Sequence, residues 1–132
     1  MKKTILMLLL AAMSTGAMAE WVEVGSNEIS TVYVDPATIR RSGDMAKMWS
    51  LIDFKSPQRN KGGAPFLSSK TQQEFDCKEE RFRILYLSLH SGKMGNGDVV
   101  HSENVLDKWT PVPPESGADA FWKIACGKTK LK

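Results

Sequence analysis

Residues 75–89, F-D-C-K-E-E-R-F-R-I-L-Y-L-S-L, hold one of the chain's two cysteines, then a charged turn, then an apolar run with no Gly or Pro. A period-two reading sends Phe82, Ile84 and Tyr86 to one side and Leu85, Leu87 and Leu89 to the other. A strand apolar on both sides belongs at the centre of a sheet and is covered on both faces. Arg81 and Arg83 fall on the side of Leu85, Leu87 and Leu89 in this reading, and Lys78, Glu79 and Glu80 make the turn into the strand.

Working outward, Ser68–Cys77 alternates Thr71, Gln73, Phe75 and Cys77 against Lys70, Gln72, Glu74 and Asp76, which predicts a strand with a polar outer side. Residues 56–65, dense in turn formers and charge, read as a long loop. Met45–Lys55 is a further strand, with Met48, Ile52 and Phe54 opposite Trp49 and Leu51. Glu20–Gly25 and Thr31–Asp35 are strands that pair as a hairpin, and Asp35-Pro36 predicts a helical turn ending at Gly43. On the C-terminal side, Gly92, Gly95 and Gly97 mark a glycine-rich connection to a short return strand at Val99–His101. Residues 104–114 are irregular. Ser116 then caps a final helix, residues 117–126, whose stripe is Ala118, Phe121, Trp122, Ala125 and Cys126. Gly127 fits its C-terminal cap, and residues 128–132 form a basic tail expected to fray. The fold class is therefore α+β: an antiparallel sheet of about five or six strands, a C-terminal helix on one face, and one disulfide.

Residues 1–19 stand apart. Lys2 and Lys3 precede a short apolar run, and Ala17-Met18-Ala19 offers a small-residue cleavage site, the pattern of an export signal. The run is about half the roughly 20 residues a membrane span requires. A lipoprotein needs a cysteine at the cleavage point, but the first cysteine is Cys77. The expected product is one exported domain, residues 20–132, periplasmic or at the cell surface, with no transmembrane segment. The chain carries a formal charge of +3; without Lys2 and Lys3 it is nearly neutral, which removes any general pull toward nucleic acid. Two cysteines in an exported chain read as one bridge, Cys77 to Cys126. It closes a loop of about 50 residues, worth on the order of 4 kcal/mol. The rivals, a reactive thiol or a metal ligand, find neither a C-x-x-C nor a nearby histidine.

No residue pattern names a reaction. The three glycines match no phosphate-binding spacing, and no G-x-S-x-G is present. His90 and His101 flank the glycine-rich connection and could meet across a hairpin, but a third ligand is missing. No catalytic residue, metal or cofactor is assigned. Lys78, Arg81 and Arg83 are the candidate partner-binding residues, with Arg40 and Arg41 as further candidates for the same basic patch, set against the plainer reading of a solvated strand end balanced by Glu79 and Glu80.

Taken in order, W-V-E-V-G, T-V-Y-V-D-P-A-T-I-R-R-S-G, M-W-S-L-I-D-F-K, E-F-D-C-K-E-E-R-F-R-I-L, S-G-K-M-G-N-G, W-T-P-V-P-P and F-W-K-I-A-C resemble the surface-adhesin protein E family, over Trp21 to Cys126. The resemblance implies an antiparallel sheet with a flanking C-terminal helix, the Cys77–Cys126 disulfide, homodimerisation, and adhesion to host extracellular-matrix proteins. The family's namesake is lipid-anchored, whereas this chain has no cysteine to lipidate. The expected function is an exported, non-enzymatic, protein-binding domain, homodimeric through an uncovered sheet face. The alternative is a periplasmic accessory protein that binds a small molecule or envelope component beside the sheet.

Overall fold

The computed structural model describes residues 20–129 except Leu106; the expected leader and the last three residues of the basic tail lie outside the described residues. Six antiparallel strands follow one another in space as they do in sequence: β1 (Val22–Ser26), β2 (Ser30–Ser42), β3 (Met45–Arg59), β4 (Pro65–Asp76), β5 (Arg81–His90) and β6 (Val99–Asn104). A two-residue β7 (Thr110–Pro111) then shares the outer edge of β5, pairing with Phe82 and Arg81 where β6 has left off at Tyr86. The sheet thus exceeds the expected size by this one short strand. Helix α1 (Gly117–Ala125) is the last element among the described residues. Short connections dictate the meander, since antiparallel neighbours need only a turn between them.

Two expectations fail through irregular pairing. Asp35-Pro36 does not start a helix. The Oδ1 of Asp35 accepts the Ala37 N–H at 3.1 Å, as a cap would, but the Thr38 hydroxyl donates to the Asp35 carbonyl at 2.6 Å and accepts the Trp49 N–H at 3.0 Å. That hydroxyl stands in for a missing ladder bond, so residues 36–39 bulge opposite Met48 and β2 resumes at Arg40. The long loop at 56–65 shrinks to residues 60–64, because β3 runs on to Arg59 past a second irregularity that accommodates Pro57. Asn60 holds the tip, its Oδ1 accepting the Gly62 and Ala64 N–H groups.

The third irregularity matters most. Gln73 pairs with Ile84 and Gln72 with Tyr86, so Leu85 is an extra residue on β5. Side-chain direction reverses across it. Phe82, Ile84, Leu87 and Leu89 therefore share the face that α1 packs on, while Arg81, Arg83, Tyr86, Ser88 and His90 share the other. The expected partition, with Tyr86 beside Phe82 and the arginines beside the leucines, is overturned. The strand is not apolar on both sides; it is two half-strands whose apolar rows join through a bulge.

On the helix side, Val34, Ala46, Met48 and Phe75 are sealed under Trp122, Ile124, Ala125 and Cys126. Ser116 caps α1 as expected, its Oγ accepting the Asp119 N–H at 3.1 Å, and Gly127 closes it with φ +73°. Cys77 and Cys126 are joined, their Cα atoms 5.6 Å apart. The opposite face is not bare. The glycine-rich connection folds back onto it through a tight turn, Lys93–Gly95. The Met94 N–H donates to Asp53 Oδ1 and the Gly95 N–H to Ser68 Oγ, both at 2.8 Å. This turn sits over Leu51, which is fully buried.

Candidate partner-binding site

The bulge at Leu85 brings the basic residues together on the turn-covered face. Register aligns Arg40, Lys47, Glu74 and Arg83 in one row across four strands, with Asp76 and Arg81 in the next. Arg41 points the other way, toward α1, where it donates to the Cys126 carbonyl at 3.3 Å. Of the three residues singled out in sequence, Arg81 and Arg83 meet, whereas Lys78 stands exposed at the turn and engages Asp76 Oδ1 only through its backbone N–H.

Trp109 organises the pair. The guanidinium carbons of Arg81 and Arg83 lie 4.7 Å and 4.4 Å from its ring centroid. Each contact of this kind contributes about 0.5–2 kcal/mol, depending on solvation. Below the ring plane the charges are paired: Arg81 Nε with Asp76 Oδ2 at 2.9 Å, and Arg83 NH2 with Glu74 Oε1 at 2.6 Å. The carboxylates are the buried partners, 3 % and 12 % exposed, against 39 % and 31 % for the arginines. What reaches solvent is therefore mostly cationic, although the pairs are close to neutral in sum. Exposed Arg40 and Lys47 extend the basic row. Beside it, Trp49 and Tyr86 meet edge to face with centroids 5.7 Å apart.

Asp76 anchors this arrangement. Burial alone would raise its pKa, but hydrogen bonds from the Glu79 N–H, the Arg81 side chain and the Lys78 N–H outweigh it and hold the carboxyl below its ordinary 3.8. The group stays ionised, and Arg81 stays oriented. A hollow of about 440 Å³ opens beside the stack, lined by Glu79, Arg81, Trp109 and Pro111. Arginines fixed on an aromatic ring present carboxylate-binding forks without a large loss of side-chain freedom. Trp109 escaped the sequence reading because it lies in the irregular, proline-rich segment, and only the pairing of β7 with β5 carries it over the arginines.

The two histidines are not brought together. His101 is aligned with Leu89 on the helix-side face, and His90, the neighbouring residue on β5, faces the other way. His90 is buried, shares a 2.8 Å hydrogen bond with Ser88 Oγ, and has its pKa lowered by burial and then by the charge of Lys70.

Solved structures share this fold. Crystal form II of Haemophilus influenzae protein E superposes with a TM-score of 0.64 at 10% identity, covering 86% of this chain and 92% of that one. Protein E from non-typeable Haemophilus influenzae gives a TM-score of 0.59 at 9% identity, covering 86% and 79%. Identities this low establish the fold alone. No curated protein matches the chain. The family profile described as surface-adhesin protein E matches residues 21–127, from the residue before β1 to the cap of α1. By that match the chain belongs to the surface-adhesin protein E family.

Proposed function

We propose that this protein is an exported, non-enzymatic adhesin-like domain that binds an acidic protein surface through Arg81, Arg83 and Trp109. Lys78 lies at the margin of that contact, and a host extracellular-matrix protein is the partner class. Family membership supports adhesion in general. The observation that carries the site is the stacking of two arginines on one tryptophan above buried carboxylates. Preorganised arginine and tryptophan are the side chains that most often dominate protein interfaces. The N-terminal charged and apolar segment supports export, and protease accessibility on intact cells separates surface display from periplasmic residence.

Retention on immobilised matrix proteins tests the site. The wild type is retained, and Arg81→Glu/Arg83→Glu is released early at moderate salt. Equal retention of both proteins removes this surface from the account. Homodimerisation is a separate proposal, read by sedimentation over a range of concentrations; a strict monomer at the highest concentration ends it.

A further inference from the structure

α1 covers only part of the helix-side face. It lies over Ala46, Met48, Phe75 and Phe82. Further along the strands, Val32, Ile52, Ser69 and Leu89 align in a row across four strands, and a hollow opens at each end of that row. One hollow, about 360 Å³, lies between Val32, Ile52 and Phe121, and no charged side chain lines it. The other, about 550 Å³, lies over Phe66, Leu87 and Leu89. Its walls are the β3–β4 hairpin tip, with Arg59 and Lys61, and strand β6, with His101 and Glu103.

The second hollow combines an apolar bed with a mainly cationic rim. Arg59 and Lys61 are both exposed. The one carboxylate, Glu103, has its Oε1 3.5 Å from His101 Nε2. The volume falls inside the usual range for small-molecule sites, about 300–1,000 Å³. The bed also discriminates between occupants. Leu87 and Leu89 have paired strands on both sides, β4 and β6. Such a surface offers no partners for the N–H and C=O groups of an extended peptide. A hydrocarbon chain needs none.

We infer that the hollow over Phe66, Leu87 and Leu89 binds a single-chain carboxylate amphiphile of the fatty-acid class. The chain lies on the apolar bed and the carboxylate meets Arg59 and Lys61 at the rim. This site is on the opposite face from Arg81 and Trp109, so it stands or falls independently of protein binding.

Titration calorimetry of the whole domain with dodecanoate, below its self-association concentration, tests the inference. Saturable binding at one site is expected, with no saturable binding of dodecylammonium. Arg59→Gln/Lys61→Gln weakens dodecanoate by about tenfold or more through lost charge-assisted contacts. Leu87→Trp fills the bed and abolishes binding, whereas Ala120→Trp, at the other hollow, leaves it unchanged. The inference is overturned by no saturable dodecanoate binding to the wild type. It is equally overturned by unchanged affinity in Arg59→Gln/Lys61→Gln, or by loss in Ala120→Trp with retention in Leu87→Trp. Should Leu87→Trp fail to fold, the rim variant decides alone: its side chains lie outside the core, and although the 2.8 Å bond from Arg59 to the Gly63 carbonyl is lost, Asn60 still holds the hairpin tip.

Discussion

The indole N–H of Trp122 donates to the backbone carbonyl of Asp76 at 2.8 Å, joining residues 46 positions apart. The side chain of the same Asp76 accepts from Lys78, Glu79 and Arg81. One residue thus ties the helix to the half-buried arginine–tryptophan stack on the other face. Trp122→Phe keeps a six-membered ring in the core but removes the N–H donor with the rest of the pyrrole ring, leaving a buried carbonyl unpaired beside a small void. It is expected to lower stability by about 1–3 kcal/mol in urea denaturation. Trp122→Ala adds a cavity and costs about 3–5 kcal/mol. An unchanged urea midpoint for Trp122→Phe would show that the bond contributes nothing net.

The disulfide spans a sequence separation of 49 residues. Cys77→Ala/Cys126→Ala is expected to lose on the order of 4 kcal/mol, and reducing agent should have nearly the same effect on the wild type. Thermal melts of both proteins, with and without reductant, check this. The variant should be insensitive to reductant.

Stability should fall in mild acid because of His90. Its pKa is lowered below 6.5 in the fold, by burial first and Lys70 second, so the unfolded chain binds the proton more readily. Stability is full above the unfolded value and is lost as pH drops from about 6.5 toward the lower folded value. Urea midpoints measured between about pH 7.5 and about pH 5 should decline less in His90→Gln, whose amide stays neutral throughout. Parallel declines would exclude His90 as the source. Asp76 acts in a lower window: its depressed folded pKa gives stability that is present above 3.8 and lost as pH falls through the folded value.

Leu85 should matter more for its presence than for its side chain. Leu85→Ala is expected to cost less than Leu89→Ala, a buried truncation worth about 2–5 kcal/mol. Deleting Leu85 forces one half of β5 to turn over, burying Arg81 and Arg83 or exposing Leu87 and Leu89. Circular dichroism during thermal unfolding should show no cooperative transition for the deletion. A sharp transition near the wild-type midpoint would mean that the register slips without penalty.

Trp109→Ala removes the surface on which Arg81 and Arg83 stack while leaving their ion pairs intact. Retention on immobilised matrix protein should drop, and stability should fall by about 1–2 kcal/mol, because two half-exposed cation–π contacts are lost while the ion pairs remain. Full retention would assign Trp109 a purely structural part.

Local chemistry made several elements legible. The cap at Ser116, the glycine at position 127, the cysteine pair and the alternation in Met45–Lys55 each depend on neighbours close in sequence or on compartment. The bulges were not legible, because a bulge is a relation between two strands, and residues 72–86 read alone cannot show that Gln72 and Gln73 oppose Tyr86 and Ile84. Asp35-Pro36 carried a genuine helix-start signal, but the Thr38 hydroxyl reaching the Trp49 N–H favoured continuation of the sheet. The candidate site was half visible. Arg81 and Arg83 stood out as charges beside an apolar run, whereas their partner Trp109 arrives from a segment with no periodicity at all.

The covalent link at Cys77 also fixes how a mechanical force would enter this domain. Tension applied to the chain beyond Gly127 reaches Cys126 and passes through the bridge to Cys77, directly after β4. Helix α1 is therefore bypassed rather than unwound from its end. The pull arrives at β4 and β5, both interior to the sheet, which must shear past paired neighbours instead of peeling away from an edge. An oxidised domain should consequently resist extension from its C-terminus far better than a reduced one, in which α1 detaches first.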